Sequence, residues 1–211
     1  SFDILVDQFE NTKVNSAGQL PTGFNPAHFY QSRNHPRTLQ MTVYAASDAI
    51  NSLGIEFNIY GVHFKASSGT SNAQQRLEEA TILRDYLNSV SANYFIVAGD
   101  FNIYSNSSST EPAFNMLTGS SESNGGRLFD PINRIGNWHN NISFSDVHTQ
   151  SSRTSSFGGG ANGGMDDRFD WLFVGENLLN GQSPMVYIED SYTAFGNDGN
   201  HFNDAINSGN N

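Results

Sequence analysis

The tightest constraint in the chain is a five-residue apolar run, Tyr94 to Ala98, that stops at Gly99 and gives way to Asp100-Phe101-Asn102. An uninterrupted apolar run this short reads as a strand covered on both faces. Gly99 allows a turn or a close approach of backbone. Ligands of covered sheets gather at the carboxyl ends of strands. Asp100 and Asn102 sit at such an end, on one face if the chain is still extended. Asp and Asn also favour turns, so the same residues suit a strand closed by an Asx turn. The remaining chain has to decide between these readings.

Residues 2–6 read as a strand, followed by a polar loop to about residue 36. Thr38 to Ala45 alternates, with Leu39, Met41, Val43 and Ala45 on one face, which predicts a half-buried strand. Ile55 to Phe64 predicts a second. Asn72 to Val90 predicts a helix capped by Asn72, with Leu77, Ala80, Leu83, Leu87 and Val90 inward and Arg76, Glu78, Glu79, Arg84 and Asp85 mostly outward. Strand, helix, strand with apolar strands is a crossover unit, so 57–64 and 94–98 are expected to be parallel neighbours. Pro112 suits the first turn of a short helix ending at Gly119. Residues 120–145 read as irregular. The Ser- and Gly-rich stretch 149–167 reads as a mobile loop or unpacked insertion, with glycine at five of the seven positions 158–164. Phe169 to Val174 is a further buried strand and Met185 to Ile188 a shorter one.

Composition narrows the function classes. The 211 residues suit one domain with a sizeable core. Ten Lys and Arg against 21 Asp and Glu give a net charge of −11, without a basic cluster. Binding nucleic acid by phosphate neutralisation alone is therefore disfavoured. An acidic protein can still process a phosphodiester if a divalent cation bridges the two like charges. The absence of cysteine removes disulfides and thiolate metal sites. Low Lys with abundant Asn, Ser, Gly and aromatic residues points to a secreted or cell-surface bacterial protein. No apolar run approaches the length of a membrane span.

Four residues in three blocks carry the chemistry. His63 closes a strand in Gly61-Val62-His63-Phe64, and Asp100 and Asn102 follow the next strand. Asp170 lies within Asp167-Arg168-Phe169-Asp170-Trp171. A histidine at a strand end is commonly only structural. An Asp inside an apolar strand needs a partner, because burying an unpaired carboxylate is costly. Arg168 is the nearest one, although adjacent strand residues face opposite ways. Gly-Val-His-Phe-Lys, a helix, Gly-Asp-Phe-Asn and then Asp-Arg-Phe-Asp-Trp together resemble the endonuclease/exonuclease/phosphatase superfamily, across roughly residues 37 to 190. The wording of Gly158 to Trp171 and Gly196 to Phe202 resembles its secreted bacterial members.

The resemblance implies an α+β, deoxyribonuclease I-like sandwich of two packed mixed β-sheets flanked by helices. Residues 1–211 would be a single partial domain. It further implies phosphoester hydrolysis by in-line attack of water with Mg²⁺ or Mn²⁺ bound, in a monomer acting on nucleic acid or another phosphodiester. Asp100 would orient the water or assist the metal. Asn102 would hold a phosphate oxygen, and His63 would stabilise charge on phosphorus-bound oxygen. Asp170 would fix the tautomer of a second histidine. His35 or Arg37 would face the phosphate. The family's Asn-bearing first strand and its metal-binding Glu have no counterpart, since Glu10 lacks that context. The closing Ser-Asp-His has only Asp198-Gly199-Asn200-His201. Either His201 is a degenerate form of that motif or the true motif follows Asn211, and the missing closing strand favours the second. Two alternatives stand beside the nuclease reading. One is a non-catalytic surface or binding module, the other a lipid or sugar-phosphate phosphatase of the same superfamily.

Overall fold

The computed structural model describes residues 56–90, 92–156, 161–180, 185–194 and 196–209. The chain divides into Ser1–Phe57 and Asn58–Asn211, and the architecture below belongs to the second unit. The strands expected at 2–6 and 38–45, with Glu10, His35 and Arg37, lie outside the described residues.

The apolar run becomes β2, Phe95–Asp100, at the centre of a three-stranded sheet. β1, Asn58–His63, pairs with it in parallel, and β3, Asp170–Val174, pairs antiparallel on the other side. The crossover is α1, Thr70–Ser89, and a shorter α2, Pro112–Thr118, packs against it. This is an α+β domain with a mixed sheet. The described residues contain one sheet rather than the two of the expected sandwich.

Gly99 is fixed by the parallel pairing. Its φ is 148°, and a Cβ there would stand 1.9 Å from the carbonyl oxygen of Val62 on β1. One face of the sheet supplies Phe95, Val97, Trp171 and Phe173 to a core completed by Ala80, Leu87, Phe114, Leu117 and Trp138. Phe101, just past β2, is wedged edge-on between Phe64 and Phe173, with ring centroids 5.1 Å from each. Such aromatic contacts add to simple burial.

The helix corrects two expectations. It starts at Thr70 after Gly69, and Asn72 lies inside its first turn, donating from Nδ2 to the Ser68 carbonyl at 2.8 Å. Its inward face carries Ala73, Arg76, Ala80, Arg84 and Leu87, so two arginines expected outside are buried. Arg76 forks onto the Glu111 carboxylate at 3.1 and 2.6 Å and donates to the carbonyls of Lys65 and Ser67. Arg84 donates to the carbonyls of Met116, Leu117 and Gly119, which satisfies the open end of α2. A buried guanidinium is tolerated where carbonyls and a carboxylate surround it.

Two more segments differ from expectation. Met185 to Ile188 forms no strand, and Val186 and Ile188 are exposed. The glycine-rich stretch is packed at both ends: Gln150 bridges Asp167, and Ser151 and Met165 are buried. Gly164 lies against the backbone of Asn203, where a Cβ would come within 2.4 Å.

Arg168, just before β3, is fully buried and bidentate on Asp130 at 2.9 Å through both Nη atoms. Its guanidinium lies 3.6 Å from the Trp171 ring centroid. Breaking a buried pair by neutralising one partner leaves a naked charge and costs about 3–5 kcal/mol. Asp130→Asn is therefore expected to lower the urea midpoint by a shift equivalent to about 3–5 kcal/mol. A change under about 1 kcal/mol would mean that the pair contributes no more than a surface contact.

Candidate functional site

The sheet register builds the site. His63 lies opposite Asp100 on β1 and β2, and Asp100 lies opposite Asp170 on β2 and β3. His63, Asp100 and Asp170 therefore stand side by side at the carboxyl end of the parallel pair. The His63 Nε2 is 3.9 Å from Asp100 Oδ2, with the imidazole largely exposed.

Like charges directly opposite in a sheet repel. Here Gln150 relieves the repulsion: its single Nε2 donates to Asp100 Oδ2 at 3.0 Å and to Asp170 Oδ2 at 2.8 Å. The Asp170 backbone N–H donates to Thr149 Oγ1 at 3.0 Å. Arg168, the neighbour considered for Asp170, pairs with Asp130 instead.

Asn102 is held, not free. Its φ of 50° is left-handed, a region Asn enters more readily than most residues. Its backbone N–H donates to Asp100 Oδ1 at 3.0 Å and its Nδ2 to the Phe64 carbonyl at 3.1 Å. His201 is buried and pairs with Asp198 at 3.5 Å. No ion pair among the described residues joins it to Asp170. Arg37 lies outside the described residues.

Sequence reasoning missed a second cluster. His139 Nδ1 lies 2.7 Å from Asp167 Oδ1, and one ligand atom from each of His139, Asp166 and Asp167 falls within 4.8 Å of the others. The neighbouring Asp166-Asp167 pair was the available signal, but nothing local tied it to His139. Gln150 was likewise hidden, because its partners lie 50 and 20 residues away. Burial pushes the Asp167 carboxyl up to about 6 against the opposing pull of His139, and Asp166 adds to the rise. Burial also raises Asp166.

No protein-family model matches the chain, and no solved structure matches it. A 55-residue stretch is 60% identical to the beta-ketoacyl-[acyl-carrier-protein] synthase FabY of Pseudomonas aeruginosa. That stretch amounts to 26% of this chain, and the chain spans 9% of the length of that relative. The similarity overturns the expected membership of the endonuclease/exonuclease/phosphatase superfamily. The assignment as a Mg²⁺-dependent nuclease, phosphodiesterase or other hydrolase goes with it, and neither alternative reading is favoured.

The geometry supplies a physical reason for the misreading, since several of the motif residues have structural tasks. Gly99 admits β1, Phe101 fills the core, Asn102 takes the left-handed turn and Arg168 neutralises Asp130. Among the described residues no helix is long and apolar enough to cross a membrane.

The raised Asp167 carboxyl has a consequence for stability. Its folded value of about 6 exceeds the ordinary 3.8, so the folded chain holds a proton that the unfolded chain has lost. The contribution of this group to stability is full below about pH 4, falls as pH rises and is lost above about pH 6. Asp167→Asn is expected to gain on the wild type in urea midpoint as pH rises from about 4 to about 6. A wild type–variant difference that stays flat over that window would contradict the assignment.

Proposed function

We propose that this chain belongs to the working apparatus of fatty-acid synthesis, as part of a protein that forms β-ketoacyl groups on acyl-carrier protein. The observation that carries this reading is the 60% identity over 55 residues to a beta-ketoacyl-[acyl-carrier-protein] synthase. The chain has no cysteine, so an acyl group cannot rest on it as a thioester. The role left to its own residues is to bind and to move protons. His63 is exposed beside Asp100, with its Nε2 3.9 Å from Asp100 Oδ2, where a substrate can reach it. In this reading His63 exchanges a proton with the bound thioester, Asp100 positions it, and Asn102 keeps the Asp100 carboxylate in place.

A divalent cation, Mg²⁺ or Mn²⁺, is proposed at Asp100. Two carboxylate oxygens converging on one amide nitrogen are a hard-oxygen set of the kind such ions accept. Bound there, the cation would supply positive charge between Asp100 and Asp170.

A second layer of β-structure is proposed over the outer face of the sheet. Ile59 and Leu172 are exposed there and Ile96 and Ala98 only half-buried, an apolar surface suited to cover by a second sheet.

The test uses the full-length protein with an acyl thioester and a malonyl donor, both carried on acyl-carrier protein. Mass spectrometry is expected to detect the β-ketoacyl product, and His63→Ala to slow its formation by about 10²–10⁴-fold, the usual weight of a proton-transfer group. A full-length protein that forms no such product refutes the proposal. Millimolar Mg²⁺ is expected to raise the melting temperature of the wild type and not of Asp100→Asn. An equal rise in both would remove the cation from Asp100.

A further inference from the structure

We propose that His139, Asp166 and Asp167 form a binding site for a divalent first-row transition-metal ion of the zinc class. It is separate from the Asp100 site and does not rest on the fatty-acid reading.

The argument starts from the backbone. Adjacent residues of a regular strand face opposite sides, so Asp166 and Asp167 would not ordinarily share a ligand. Here the backbone N–H groups of both donate to one acceptor, the Gln150 carbonyl, at 2.9 and 2.8 Å. Two residues opposing one is a β-bulge, a device that re-aims side chains. The bulge is tied on its other side as well, since the N–H groups of Thr149 and Gln150 both donate to the Asp167 carbonyl at 2.8 and 3.0 Å.

The histidine arrives on a second segment bonded to the first. Asn140 N–H donates to the Asp166 carbonyl at 2.8 Å, and His139 N–H to the Tyr104 carbonyl at 3.3 Å. Trp138, the preceding residue, is fully buried, and its carbonyl lies 2.9 Å from His148 Nε2. The His139 ring meets the Tyr104 ring edge-on at 5.0 Å. The backbones that carry the three ligands are thus held by non-local hydrogen bonds and the His139 ring by its packing on Tyr104, as a preorganised metal site requires.

The donor set selects the metal. One imidazole with two carboxylates suits Zn²⁺ and its neighbours, whereas Mg²⁺ and Ca²⁺ prefer oxygen alone. Three protein ligands leave a fourth position open, and the half-exposed His139 puts that position towards solvent. The carboxylates also call for a cation. Asp167 is buried with His139 Nδ1 as its partner, and among the described residues no hydrogen bond from another residue reaches the Asp166 carboxylate.

Titration calorimetry of the full-length protein with ZnCl₂ is the test, beside MgCl₂ as the hard-ion control. We expect saturable zinc binding that His139→Ala weakens at least tenfold and that Asp100→Asn, which removes one charge from the neighbouring cluster, weakens far less. The His139 side chain is half-exposed, and a far-ultraviolet dichroism spectrum of the variant checks that it keeps the fold. Asp166→Asn, which keeps the Asp167–His139 pair, is the second variant and should show the same loss. Absence of zinc binding, or binding that neither substitution weakens, overturns the site. Failure of the condensation assay leaves this result untouched, so the two proposals fail separately.

Discussion

Two carboxylates facing each other across an antiparallel pair are a liability, and much of the site follows from how it is met. Asp100 and Asp170 are direct partners in the β2–β3 register. Register cannot slip to separate them, because a one-residue shift would turn Val97, Trp171 and Phe173 out of the core. The protein instead brings in a neutral donor, the Gln150 amide, which satisfies one oxygen of each. An amide relieves the crowding without cancelling the charge. The end of the sheet therefore stays anionic, with the His63 imidazole beside it.

The same logic accounts for the buried arginines. Arg76, Arg84 and Arg168 have little exposure, yet each is surrounded by carbonyl or carboxylate oxygen. They act as fasteners between segments distant in sequence. Arg76 ties α1 to Glu111, Arg84 ties α1 to the end of α2, and Arg168 ties the start of β3 to Asp130. Burial raises the Glu111 carboxyl while Arg76 pulls it down. These links do in a cysteine-free chain what covalent staples do elsewhere.

Legibility in the sequence followed range. β2, the crossover through α1 and the parallel pairing of β1 with β2 were readable because apolar runs and helical spacing are local signals. His63, Asp100 and Asp170 came together because strand order alone placed them at one end. The inward arginines of α1 were not readable, since charge normally marks the solvent face and it takes the distant Glu111 for Arg76 and the end of α2 for Arg84 to reverse it. Gln150 was invisible for a similar reason. The short motifs were readable as words but not as function. Glycine beside a close strand, a left-handed Asn and a core Phe are what such a sheet needs to end its central strand. Motifs of that kind record fold before they record chemistry.

Gln150 joins the two polar clusters, and that sets how they interact. Its side chain spans Asp100 and Asp170, while its backbone carbonyl and N–H hold the bulge at Asp166 and Asp167. Tyr104 feels both clusters: burial raises its hydroxyl pKa above the ordinary value, and Asp167 and Asp100 both add to the rise. Charge placed in one cluster is then felt in the other through Gln150, which contacts both. A cation at Asp166 and Asp167 would ease the burden on the carboxylates across Gln150 and would stiffen the residue that bridges them. The two clusters are thus electrostatically one system with two addresses. A ligand at either should alter affinity at the other by the same factor in both directions.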